Sequence, residues 1–241
     1  MRTRCCVAAV ILGLALPLAA RAQEETKVTG RVIANGQPVA GAEVASFWMA
    51  EKGKMRPYKG ATTDAEGRFA TTLTFYGPGT QALLALDKDR ETGGLALVDD
   101  KSAGKPVEIK LAPLVHVHGR FFCKELDKRP KWTNVYLMSG PVRFLMCSSD
   151  EASFSFRVPP GTYKFWGYGT DIQGLKKDLT LKADKPDVDL GTLDMAATVI
   201  ARHVGKAPPA WHVSDARGLK KGVQLSDFKG KWVLIEFWGF W

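Results

Sequence analysis

Between Lys27 and Met195 the apolar residues come in short runs, each closed by turn-forming residues, and that punctuation points to an all-β fold. Val28 to Ile33, Glu43 to Trp48, Gly67 to Phe75, Ala82 to Leu86 and Val107 to Leu111 are the strand candidates. Asn35-Gly36 sits between two of them as a hairpin signal, because a type I′ turn needs positive φ at both central residues. Asp64-Ala65-Glu66-Gly67 reads as a second tight turn, with Gly67 free to take the left-handed position. With 45% apolar and 24% charged residues, the composition is that of a globular protein.

The layout recurs. Val28-Thr29-Gly30-Arg31-Val32 has a counterpart in Val117-His118-Gly119-Arg120-Phe121, and Pro78-Gly79-Thr80 in Pro160-Gly161-Thr162. A period this long is far from that of solenoid repeats, so the sequence predicts two tandem small β-sandwiches, at 27–112 and 115–195. The string Gly36-Gln37-Pro38-Val39-Ala40-Gly41-Ala42-Glu43-Val44, followed by Thr63-Asp64-Ala65-Glu66-Gly67-Arg68-Phe69, resembles the carboxypeptidase regulatory-like domain, a transthyretin-like β-sandwich. Phe154 to Tyr163 is similar to the closing strands of that family, although the front half of the second copy lacks the matching string. The resemblance implies a structural or binding module without catalytic residues.

After a linker at 196–204 the character changes. Gly205-Lys206-Ala207-Pro208-Pro209-Ala210-Trp211, then Leu225-Ser226-Asp227-Phe228-Lys229-Gly230-Lys231-Trp232-Val233-Leu234-Ile235-Glu236-Phe237-Trp238, resembles the opening of the redoxin branch of thioredoxin-like proteins. This reading makes 205–241 the incomplete start of an α/β thioredoxin-like domain. In that family a Cys-x-x-Cys follows at a helix N-terminus, which activates the first thiol. No catalytic residue of that chemistry is present by Trp241, and no cofactor is expected. The resemblance implies that Glu236 would be the buried proton relay of a completed domain, whose partners would be protein thiols or disulfides. The chain is therefore expected to be the N-terminal part of an exported thiol–disulfide oxidoreductase. The alternative is a non-enzymatic cell-surface binding or spacer protein with a surface or envelope partner.

Export is read from the N-terminus. Arg2 and Arg4 precede an apolar stretch from Val7 to Ala20, and Ala20-Arg21-Ala22 fits a cleavage site, giving a signal peptide at 1–22. A periplasmic or extracellular location follows, with no integral membrane span after cleavage. The excess of 34 basic over 25 acidic residues is dispersed, so no nucleic-acid partner is expected.

Cys123 and Cys147 then remain, either as one disulfide within the second sandwich or as two small buried hydrophobes. His116 and His118 lie two apart on one strand face and could chelate a metal. No Cys or carboxylate stands near them in sequence, so the reading is a plain strand pair and no metal. The seven tryptophans are assigned to core packing rather than to a sugar-binding face.

Overall fold

A computed structural model describes residues 24–236 apart from 76–78, 103, 208, 209, 211, 213, 214 and 216. The signal peptide expected at 1–22, Pro78, Pro208-Pro209, Trp211 and the aromatic end at 237–241 lie outside the described residues.

The described residues of the first half form β1 (Glu24–Ala34), β2 (Gln37–Pro38), β3 (Glu43–Ala45), β4 (Phe47–Glu51), β5 (Lys54–Tyr58), β6 (Ala61–Thr62), β7 (Arg68–Phe75), β8 (Thr80–Leu86), β9 (Thr92–Asp99) and β10 (Val107–Lys110), joined by a short β11 (Ala112–Pro113). Asn35 and Gly36 both take positive φ and close the β1–β2 hairpin, as the sequence requires. Asp64 holds the next turn. Its carboxylate accepts from the Glu66 and Arg68 amides, while Gly67 adopts φ 73°. One sheet has β1 between β10 and the pair β2 and β7. A second sheet runs β11, β9, β8, β3, β6. Val28, Val32, Phe69, Leu73 and Ile109 of the first sheet meet Val44, Leu83, Ala85 and Val98 of the second in one core.

The second half contributes β12 (Val115–Phe122), β13 (Thr133–Ser139), β14 (Val142–Ser149), β15 (Ser153–Val158), β16 (Gly161–Gly169), β17 (Ile172–Leu181) and β18 (Asp187–Asp194). A third sheet has the order β15, β12, β18, and a fourth runs β17, β16, β13, β14, β4, β5. Between them lies a core rich in phenylalanine, with Phe121, Phe144, Phe156 and Phe165 fully buried. Tyr163 donates its buried hydroxyl to the Pro159 carbonyl at 2.9 Å, which satisfies the one polar atom that this ring brings inside.

The sequence repeat has a structural cause. Gly30 of β1 lies opposite Phe69, and Gly119 of β12 lies opposite Phe154. A Cβ on Gly30 would fall 2.5 Å from the Phe69 ring and 2.2 Å from the Val107 carbonyl oxygen of the parallel neighbour. A Cβ on Gly119 would fall 2.6 Å from the Phe154 ring and 3.0 Å from the Gly191 carbonyl oxygen. In each half the glycine lets an aromatic ring lie over the opening strand, which pairs in parallel with a later one: β1 with β10, β12 with β18.

The two halves are not separate sandwiches, however. The β4–β5 hairpin leaves the second sheet after Ala45 and pairs in parallel with β14, Trp48 opposite Leu145 and Ala50 opposite Cys147. The fourth sheet is thus continuous across the expected division. Strand β8 explains why. Ala82 to Leu86 are all fully buried, Leu83 and Ala85 in the first core, Ala82, Leu84 and Leu86 in the second. A strand apolar on both faces needs cover on both. Trp48 supplies part of it, fully buried and donating its indole N–H to the Leu84 carbonyl at 3.1 Å.

The segment expected as a linker carries a short helix, α1 (Val199–His203), capped by the Thr198 hydroxyl accepting from the Ala201 amide. Among the described residues beyond 205 there is one 3₁₀ turn at Leu225–Phe228 and no strand, so an α/β thioredoxin-like domain is not formed there. Trp232 to Glu236 form no strand, with Trp232 and Leu234 almost wholly exposed.

Because both cores share β8, urea unfolding followed by circular dichroism and by amide exchange should show one transition for 24–197. Leu84→Ala should lower stability by ~2–5 kcal/mol and move the protection of both halves together. Gly30→Ala should cost ~1–3 kcal/mol by overpacking, against little change for Gly104→Ala, whose Cβ would meet nothing within 4 Å. Two separated transitions would contradict the shared core.

Candidate functional site

Alternation places one side chain in two on the outer face of the fourth sheet. Across all six strands one register row reads Lys176, Trp166, Tyr136, Met146, Met49, Arg56. Five strand spacings of ~4.8 Å make the row about 24 Å long. Tyr136 and Trp166 have ring centroids 5.8 Å apart, Tyr168 lies against them at 5.8 and 5.2 Å, and Trp132 meets Tyr168 edge-on at 5.7 Å. The Arg143 guanidinium lies 5.0 Å from the Tyr136 ring, and the Lys176 ammonium 5.8 Å from the Trp166 ring.

Gly174 makes room for the indole, since a Cβ there would come within 2.8 Å of Trp166 Nε1. Asn134 donates to the Tyr168 hydroxyl at 3.2 Å and fixes its tilt. The hydrogen bond with Tyr168, and then burial, push the Tyr136 phenol up. Beside the rings lies a hollow of about 550 Å³ lined by Met138, Arg143, Lys164, Trp166 and Lys176. The assignment of tryptophans to the core therefore holds for Trp48 and not for Trp132 or Trp166. The visible signal was the spacing of Trp166 and Tyr168, two apart on one strand and hence on one face.

A second cluster lies on the outer face of the third sheet. His116 and His118 of β12 stack at 4.8 Å between centroids. The parallel register sets Asp187 of β18 beside His116 and Asp189 beside His118. Asp187 accepts from both rings, with Oδ1 2.7 Å from His116 Nδ1 and Oδ2 3.1 Å from His118 Nε2. The far nitrogen of His116 meets the Ser155 hydroxyl of β15 at 2.9 Å, and His118 Nδ1 lies 3.6 Å from Asp189. Hydrogen bonds from His118 and then His116 hold the Asp187 carboxyl below its usual range. The expectation that no carboxylate stands beside the histidines is thus corrected. Asp187-Val188-Asp189 repeats the two-residue spacing of His116-Val117-His118, but only the strand pairing brings the two together.

Cys123 and Cys147 are both buried free thiols, so the bridge left open by the sequence is not made. Burial pushes the Cys147 thiol up, and its S–H points at the Ser155 carbonyl oxygen 3.8 Å away. Neither has the exposed, electropositive setting of a reactive thiolate. Glu236 is exposed and outside any strand, because nothing among the described residues covers it.

No family model and no curated protein matches the sequence. Among solved structures, the Bacillus anthracis TIE protein is similar at TM-score 0.33 and 10% identity, over 72% of this chain and 34% of that one. The Streptococcal ancillary pilin is similar at 0.32 and 13%, over 73% and 63%, and BcpA, the major pilin subunit of Bacillus cereus, at 0.32 and 10%, over 73% and 60%. The chain thus spans about a third of the first and less than two thirds of the other two. Likenesses of this size decide nothing about function, and the β-sandwich description rests on the strand pairing itself.

In protein lacking residues 1–22, Cys123 and Cys147 should resist Ellman's reagent at pH 8 and both react once urea unfolds the chain. Rapid reaction of either thiol in the folded protein would contradict the burial described.

Proposed function

We propose that the chain is an exported, non-enzymatic binding and spacer module whose fourth sheet holds an extended anionic polysaccharide. The observation that carries this reading is the register row through Trp166 and Tyr136, which with Tyr168 forms a half-exposed aromatic cluster on paired strands. Tyrosine and tryptophan present a rigid apolar surface with a polar handle, which suits the C–H faces and hydroxyls of sugar rings. Arg143, Lys164 and Lys176 beside the rings favour a polymer that bears acid groups. The two-faced burial of β8 supports the spacer component, because it ties the halves into one body. The likeness of the first half to carboxypeptidase regulatory-like domains belongs to the same reading, as does a location outside the cytoplasm. No helix among the described residues is long and apolar enough to cross a membrane.

A second reading, the N-terminal part of a thioredoxin-like thiol–disulfide oxidoreductase, draws on one observation. Trp232, Val233, Leu234 and Ile235 are exposed together, as a strand without its sheet would be. Such a domain would act on protein thiols, with Glu236 buried as its relay. Sequencing the gene beyond codon 241 tests it: an in-frame Cys-x-x-Cys supports it, and an immediate stop codon removes it.

For the first reading, affinity electrophoresis against neutral and acidic polysaccharides should show retardation by an acidic one. Trp166→Ala or Tyr136→Ala should weaken it about tenfold, or ~1.4 kcal/mol, with the melting temperature measured in parallel. Arg143→Ala with Lys176→Ala should remove the preference for acidic over neutral chains, and raised salt should do the same. Binding that is indifferent to Trp166 and Tyr136, or no binding to any polysaccharide, would overturn it.

A further inference from the structure

We infer that His116, His118 and Asp187 form a binding site for one divalent transition-metal ion of the zinc class, independent of the aromatic face. Three donor atoms of the right chemistry already converge. His116 Nδ1, His118 Nε2 and a carboxylate oxygen of Asp187 lie within 4.8 Å of one another. Ligands at 2.0–2.1 Å from a tetrahedral ion stand about 3.3–3.4 Å apart. The present nitrogen–oxygen distances of 2.7 and 3.1 Å are those of hydrogen bonds. Rotations of the rings and the carboxylate that open these two contacts by a few tenths of an ångström, and draw the remaining donors in from at most 4.8 Å, bring the set to that spacing. Two imidazoles with one carboxylate leave a fourth position to water, and they select zinc, nickel or copper over magnesium and calcium, which prefer all-oxygen shells.

The surroundings are those of a supported site. Each ligating histidine in a metal centre usually engages its other ring nitrogen with an outer partner, which fixes the ring and raises its basicity. Here Ser155 meets His116 Nε2 at 2.9 Å, and Asp189 lies 3.6 Å from His118 Nδ1. Both histidines are half-buried on the central strand of the third sheet, so their backbones are held from both sides. Of the nearest cations on this face, Arg120 is engaged by the Thr192 hydroxyl at 2.8 Å, and Arg157 is the cross-strand neighbour of His116 and exposed. Asp187 and Asp189 together offset these two charges.

The test is calorimetric titration of untagged, metal-stripped protein with zinc chloride near pH 7.5, alongside cobalt(II) chloride followed by visible absorption. One equivalent per chain is expected, with the strong d–d bands of a four-coordinate cobalt site bearing nitrogen ligands. His118→Gln and Asp187→Asn should each weaken zinc binding by at least ~tenfold, and Asp189→Asn less. His203→Gln and His212→Gln, away from the cluster, should leave it unchanged, and magnesium chloride should give no binding. Circular dichroism checks that each variant is folded. Wild-type affinity in both His118→Gln and Asp187→Asn, no zinc bound at all, or one zinc bound between two chains would each overturn the site.

Discussion

Strand β8 must be covered on both faces, and much of the architecture follows from that. Its five consecutive buried residues send Leu83 and Ala85 one way and Ala82, Leu84 and Leu86 the other. Were either face left to water, one or two leucines worth ~1.5–3 kcal/mol each would be exposed, together with the side chains that pack on them. The chain meets this demand with the β4–β5 hairpin, which leaves its own sheet, places Trp48 over the Leu84 carbonyl and completes the fourth sheet. The outer row of that sheet depends on the same move, because Met49 and Arg56 reach it only through the displaced hairpin.

Locally determined features were legible in the sequence. Asn35-Gly36 and Asp64 to Gly67 announce their turns because positive φ and side-chain capping are properties of a few adjacent residues. The repeated Val-x-Gly-Arg string was legible too, and its cause is now visible in the rings of Phe69 and Phe154 lying over the two glycines. The run from Ala82 to Leu86 was recognised as a strand, yet its lack of alternation carried more: an unbroken apolar strand is buried on both sides.

What stayed hidden depends on register between distant segments. His116 and Asp187 are 71 positions apart, and only parallel pairing of β12 with β18 makes them neighbours. Tyr136 and Trp166 are separated by β14 and β15, which lie in different sheets, so their row appears only once β13 and β16 pair. The parallel pairing of β4 with β14 is harder still to foresee, since nothing near Ser46 marks a change of sheet beyond a single polar residue. Outward-facing function written across strands is therefore less visible in a sequence than the core that supports it.

The parallel contact between β12 and β18 has a mechanical consequence. In a parallel pair the leading end of one strand and the trailing end of the other lie at opposite ends of the ladder. Tension applied from the front of the second half to its back would load the rungs from His116–Asp187 to Phe122–Asp194 together, in shear. An antiparallel pair pulled in the same way would open one rung at a time. The pairing of β1 with β10 repeats the arrangement in the first half. A body built this way resists stretching along its strands far better than peeling across them.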